Sequence, residues 1–235
     1  MSHKTESEIR VVAMTERDAV RRNAALAEYA KRQMKKYPWL FFREYVYTLD
    51  PHDSKQPVKR FPDKPYCQDI VEEIHANKMV LIEKSRQMMV TWIIVAYALY
   101  RALTLDGQYI FLVSRKEDDA GLSTPLSLLS RVKFIHDHLP KWLQQPVGMT
   151  KQPPILVFEG TASTIHAVSQ DSDAFRSYTA SMIFMDEMAF QERARDAYTA
   201  AKPTIDGGGR FIGVSTPNGR NFFYALTSDA EGARA

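Results

Sequence analysis

The chain has 235 residues, 45% of them hydrophobic and 25% charged, with a formal net charge of +3. That length allows one large domain or two small ones around a sizeable core, and so small a net charge means that any nucleic-acid contact must come from a local patch. A single cysteine, Cys67, excludes an internal disulfide framework and a cysteine-cluster metal site, in keeping with a reducing cytosol.

The first residues, MSHKTESEIR, lack the apolar core of a signal peptide. No run of about 18 apolar residues offers a membrane span. Residues 1–36, rich in Ala, Glu, Lys and Arg and free of Pro and Gly, predict an exposed helical arm. Its basic end, KRQMKK (31–36), is either a solvated face favoured by the helix dipole or a contact for a phosphate backbone. The aromatic stretch Pro38–Tyr47 anchors the arm to the core. Residues 51–65, PHDSKQPVKRFPDKP, hold four prolines and read as an ordered surface loop. In YCQDIVEEIHAN the apolar Cys67, Ile70, Val71 and Ile74 fall at helical spacing.

From there strands and helices alternate. Lys78–Glu83 is a strand, Val90–Leu105 a buried helix and Gln108–Ser114 a nearly continuous apolar strand. Glu117–Leu129 reads as a helix interrupted at Pro125. Ile155–Phe158 and Thr164–Ser169 are short strands that can form a hairpin around EGTAS. Met182–Met185 is a buried strand, followed by a helix from about Gln191 to Ala201. Phe211–Ser215 is the last strand, with DGGG (206–209) as the turn into it and a helix after Asn221. Apolar strands separated by helices predict a parallel or mixed α/β sheet.

Three stretches carry chemistry. MIFMDE places Asp186 and Glu187 at the carboxyl end of a hydrophobic strand, the edge where open α/β sheets bind ligands. One carboxylate can hold Mg²⁺ and the next can polarise a water; two solvated acids at a strand end are the plain alternative. LIEKSRQMMVTW has the place of a phosphate loop, between a strand and a helix. Thr91 supplies a hydroxyl, residues Ser85, Arg86, Gln87, Met88, Met89 and Val90 supply backbone N–H groups, and Lys84 and Arg86 supply cations. It holds no glycine, so a strand–turn–helix with a snorkelling lysine remains open. GVSTPNG ends a strand at Ser215 and Thr216 in a Pro-Asn-Gly turn, where hydroxyls and the Asn218 amide can sense a phosphate, or simply turn the chain.

EKSRQMMVT, IFMDE and STPNG, in that order, resemble the deviant Walker A, the Walker B with its catalytic glutamate, and the coupling motif of the large terminase subunit of tailed bacteriophages. The resemblance covers roughly residues 38–228. It implies an α/β P-loop NTPase of the additional-strand catalytic-glutamate (RecA-like) type, its mostly parallel central sheet flanked by helices. It implies ATP and Mg²⁺ as cofactors, double-stranded DNA as cargo, and the portal protein, procapsid and small terminase subunit as partners in the host cytoplasm. A pentameric ring when assembled and a monomer in isolation go with it. By the same resemblance Gln68 reads the adenine edge, Lys84 to Thr91 hold phosphates, Thr91 and Asp186 hold Mg²⁺, and Glu187 is the catalytic base. Arg176, ten residues before Asp186, reaches the neighbouring subunit's γ-phosphate, and Ser215, Thr216 and Asn218 couple hydrolysis to movement.

The chain departs from the family at Met89 and Val90, where many members carry a glycine and a lysine. Residues 1–37 are expected to be the arm, 38–228 the ATPase, and 229–235 the start of a linker to a nuclease domain, so the motor half alone is expected here and no DNA cutting. Two other functions stay open: a helicase-type ATPase, for which 235 residues leave no second lobe, and a degenerate P-loop scaffold that binds without hydrolysing.

Overall fold

The structure is a computed structural model that describes residues 6–170 and 179–232, with side chains described over 21–170 and 179–228. Helix α1 (Glu6–Lys36) is followed by α2 (Trp39–Tyr45), β1 (Tyr47–Leu49), β2 (Val58–Arg60) and α3 (Pro65–Ala76). Next come β3 (Met79–Glu83), α4 (Val90–Thr104), β4 (Tyr109–Ser114), the single turn α5 (Glu117–Ala120) and α6 (Leu128–His138). Strands β5 (Val147–Lys151), β6 (Pro154–Phe158), β7 (Ser163–Ser169) and β8 (Met182–Met185) precede a 3₁₀ turn (Met188–Phe190). Helix α7 (Ala194–Asp206), β9 (Arg210–Ser215) and α8 (Phe222–Gly232) complete the described chain.

Seven strands form one sheet in the order β3-β9-β8-β4-β7-β6-β5. The pairings from β3 through β7 are parallel, and β6 and β5 add antiparallel strands at one edge. Strand β9 lies between β3 and β8, so the strands ending at Glu83 and Met185 are separated by the one ending at Ser215. The sheet has a core on each face. Helix α4 fills the larger: it is apolar on every side and buried along nearly its whole length, as expected of a helix wrapped by other elements. Each fully buried Ile or Leu there contributes about 1.5–3 kcal/mol, which holds the helix and the loop before it rigidly against the sheet.

Trp39, Phe41 and Phe42 bury the segment after α1, and Tyr100 of α4 donates a 3.1 Å hydrogen bond to the Met34 carbonyl. Gly213 of β9 sits where a Cβ would meet Leu81 Cδ2 and Met188 Sδ, each at 2.9 Å; glycine there lets the 3₁₀ turn after β8 press onto the sheet. Among the described residues no helix is long and apolar enough to cross a membrane.

Several expectations need correction. The proline-rich segment 51–65 is more than a loop: Val58–Arg60 pairs antiparallel with Tyr47–Leu49. Its prolines flank the strand and leave its ladder N–H groups free to bond. The helix expected over Glu117–Leu129 with an interruption at Pro125 is indeed interrupted there, but more widely: α5 stops at Ala120 and α6 starts at Leu128. The Ser127 hydroxyl donates to the Gly121 and Thr124 carbonyls, tying off the turn around Pro125, and α6 then runs nine residues past Leu129. Edge strand β5 carries Gly, Thr and Lys with mostly exposed side chains, so no apolar run announced it. The helix expected from Gln191 begins at Ala194, after the 3₁₀ turn.

Candidate active site

Four parallel strands deliver their carboxyl ends to one edge: Lys84 follows β3, Thr216 follows β9, Asp186 follows β8 and Arg115 follows β4. The loop from Lys84 to Met89 begins with the Lys84 N–H donating to the Ser215 carbonyl at 3.0 Å. It makes two left-handed bends, at Gln87 (φ 63°) and Met89 (φ 58°), costing about 1–2 kcal/mol each for residues with a Cβ. The bends do the conformational work that glycine does elsewhere, and alternation of hands of this kind turns successive N–H groups towards one concavity. Met89 caps α4 without a side-chain hydrogen bond, so the first N–H groups of that helix face the same space.

Lys84 Nζ lies 2.8 Å from Glu187 Oε1, with 9% of the lysine side chain and 41% of the glutamate exposed. The Thr91 hydroxyl donates to Asp186 Oδ1 at 3.2 Å. Desolvation lifts the Asp186 carboxyl to about 6; the neighbouring Glu187 charge adds to this, while Lys84, Arg131 and the Thr91 hydrogen bond oppose it. Burial penalises the charged form of this carboxylate, and a divalent cation beside it would stabilise that form. Thr91 and Asp186, a hydroxyl and a carboxylate in contact, are oxygen donors of the type Mg²⁺ takes. Glu187 itself has a left-handed backbone (φ 49°), a conformation stored at functional sites.

The STPNG segment is stitched to the turn that carries Glu187. The Ser215 hydroxyl accepts from the Ala189 N–H at 3.0 Å, and Asn218 and Asn221 amides both donate to the Ala189 carbonyl. The Thr216 N–H and hydroxyl each lie 3.4 Å from Glu187 Oε2.

Two cavities flank the loop. One, of about 560 Å³, lies between the β1–β2 hairpin and residues 87–92, with Arg60, Pro62, Thr91 and Trp92 in its wall. The other, of about 610 Å³, covers the carboxyl edge, with Arg86, Arg115, Asp186, Glu187 and Thr216 in its wall. Lys84, Gln87, Leu126 and Arg131 border both.

Of the expected site residues, Lys84, Arg86, Gln87, Thr91, Asp186, Glu187 and Thr216 border these cavities, as do Met88, Met89 and Val90 on the first side. Ser85 and Gln68 border neither. The Gln68 amide donates to Glu72 Oε1 at 2.7 Å along α3, whereas its neighbour Tyr66 reaches the loop by donating to the Met88 carbonyl at 3.4 Å. Ser215 and Asn218 hydrogen-bond to the Ala189 N–H and carbonyl. Arg176 lies outside the described residues.

Sequence reasoning missed Arg131, Arg115 and Asn221. Arg131 is the most telling: its Nε donates to the Leu126 carbonyl at 2.7 Å and its guanidinium lies 5.1 Å from the Trp92 ring centre. Burial pushes that guanidinium's pKa down and the nearby Asp186 charge opposes the shift. The signal that could have found it was helical continuation past Leu129, which places Arg131 and Ile135 one turn apart on α6.

The extra strand between β3 and β8, with the loop and the acidic pair at one edge, is the arrangement of a P-loop NTPase of the additional-strand, RecA-like type. Its fold is that of the ATPase domain of bacteriophage large terminases. Similar solved structures are the HK97 bacteriophage large terminase (TM-score 0.67, 16% identity, covering 83% of this chain and 40% of that one) and the large terminase of the thermophilic bacteriophage D6E (0.57, 11%, 74% and 44%). The Thermus phage P74-26 large terminase ATPase domain is similar at TM-score 0.52 and 18% identity, covering 67% of each chain. The chain thus spans less than half the length of the HK97 and D6E chains. No protein-family model matches it.

Proposed function

We propose that this chain is the ATPase motor domain of a viral DNA-packaging terminase, hydrolysing ATP to drive double-stranded DNA into a procapsid. One observation carries the reading: residues 95 and 103 apart in sequence meet as Thr91–Asp186 and Lys84–Glu187 at the carboxyl edge of the sheet. A hydroxyl–carboxylate pair beside a cation–carboxylate pair is the division of labour that phosphoanhydride hydrolysis needs.

Mg·ATP, when bound, supplies the electrophilic γ-phosphorus. Backbone N–H groups from Ser85 to Thr91 hold the phosphate oxygens, and Thr91 and Asp186 hold Mg²⁺. Lys84 exchanges its bond to Glu187 for one to phosphate, with Arg86 as the more exposed second cation. Glu187, so released, takes a proton from water as the water oxygen attacks phosphorus in line and the ADP oxygen departs. Ser215, Thr216 and Asn218 carry the displacement of Glu187 and its turn into the segment leading to α8. Arg176 acts on the neighbouring subunit's nucleotide, which requires a closed head-to-tail ring, and DNA, portal, procapsid and small subunit are the partners of that assembly.

Steady-state ATPase measured against protein concentration tests this. Turnover that rises more than linearly and disappears in Glu187→Ala is expected. Tight ATP binding without turnover at any concentration would instead identify a non-hydrolysing scaffold.

A further inference from the structure

Residues 21–36 of α1 contain six lysines and arginines against one glutamate, a local charge of +5 in a chain whose total is +3, so the other 219 residues carry a net −2. At about 100° per residue, Arg21, Arg22, Lys31, Arg32, Lys35 and Lys36 fall within roughly half of the helix circumference. The opposite side carries Ala27, Ala30 and Met34, which are half-buried or buried. All six cations are exposed except Lys31, which is half-buried. Of these six, only Lys31 has an ion-pair partner among the described residues, Glu28 at 3.3 Å. Tyr29, 62% exposed, is the one large ring on the cationic side, and Tyr37, 51% exposed, follows it with Lys36 Nζ 5.1 Å from its ring centre.

We propose that this cationic face is a docking surface for the phosphate backbone of duplex DNA. The proposal rests on the motor reading above and places the polyanion on the arm, away from the ATPase edge. A protein partner is the poorer fit, because protein interfaces have an apolar, charge-depleted centre and this face has a charged one. The geometry suits a phosphate rail: the cations lie in two groups, 21–22 and 31–36, that span about 22 Å of helix, and a duplex presents roughly one charge per 1.7 Å. Contacts of this kind are insensitive to base sequence, as a translocating motor requires.

The test is fluorescence anisotropy of a fluorescein-labelled 30-base-pair duplex titrated with the whole chain at several NaCl concentrations. With five to six phosphate contacts the slope of log K against log salt is expected near −5. Lys31→Gln/Arg32→Gln/Lys35→Gln/Lys36→Gln together should weaken binding at 50 mM NaCl at least tenfold and flatten the slope by about 3 to 4. Lys35→Ala/Lys36→Ala, which favours helix, should flatten it by about half as much, so lost helicity cannot imitate the result. Lys151→Gln/Lys202→Gln, exposed cations outside the arm, should change neither. No duplex binding by the unsubstituted chain, or an unchanged slope in the quadruple variant, overturns the proposal. So does competition by polyglutamate as strong as by duplex, which would assign the face to an acidic protein. Binding of a fluorescent ATP analogue, read in the same samples, separates the two ideas: its absence refutes the motor reading while leaving the arm's slope intact.

Discussion

Glu187→Gln should bind nucleotide more tightly while hydrolysing it far more slowly. In the structure Lys84, the cation that meets phosphate in the proposed cycle, is 2.8 Å from Glu187, the carboxylate that meets water in it. Each neutralises the other, and binding must break the pair. Fully exposed ion pairs are worth about 0–1 kcal/mol, and removing one member of a buried pair costs about 3–5 kcal/mol. Here the lysine is 9% and the glutamate 41% exposed, so solvent screening places the loss between these two ranges, at about 1.5 kcal/mol. Glutamine keeps the shape but not the charge, leaving Lys84 free to pair with phosphate. Since about 1.4 kcal/mol is a factor of ten, affinity for a fluorescent ATP analogue should rise about tenfold at low salt, and less at high salt. Loss of the base should lower turnover by about 10²–10⁴. Equal or weaker nucleotide binding by Glu187→Gln, in a protein whose melting temperature is normal, would refute the idea that this pair opposes binding.

Three further outcomes are expected. Asp186, raised to about 6 by burial, holds its proton in the folded state at a pH where the unfolded chain has lost it; stability therefore falls as pH rises from about 4 to 6, and the cost persists above that. Asp186→Asn should accordingly raise the metal-free melting temperature at pH 7.5 by several degrees while abolishing hydrolysis, and the difference should vanish near pH 4. Gly213→Ala would drive a Cβ against Leu81 and Met188; a loss of about 1–3 kcal/mol in urea unfolding, with weakened turnover because the turn after Glu187 must shift, is the expected result. Arg131→Met removes a cation that opposes the rise at Asp186 but keeps bulk beside Trp92, so ATP affinity should drop about tenfold and the acid limb of the turnover–pH profile should move upward. A merely structural Arg131 would lower the melting temperature and leave that limb in place.

The buried strands at 109–114, 182–185 and 211–215 and the largely apolar helix from Val90 were legible because nearly continuous hydrophobic runs between turn residues have few other solutions. The β5 strand was not: its exposed edge position asks for no apolar pattern. The β1–β2 pair was hidden by prolines, which mark a loop in one dimension but border a strand in three. Arg131 escaped because its helix restarts after a proline-containing turn whose closure depends on Ser127, a contact no periodicity reports. Gln68 was suggested by the family resemblance and by no pattern of its own segment; in the structure its amide donates to Glu72 along its own helix.

Local order thus came from the chain alone, along with the chemical types available at each strand end: a hydroxyl, two carboxylates, two cations and a polar turn. Which of them touch was decided by the sheet. Insertion of β9 between β3 and β8 sets the gap across which Lys84 reaches Glu187, and parallel register brings Thr91 to Asp186. Side chains about a hundred residues apart meet only through strand order and packing, and hydrophobic patterning within a single segment carries no information about its neighbours in space.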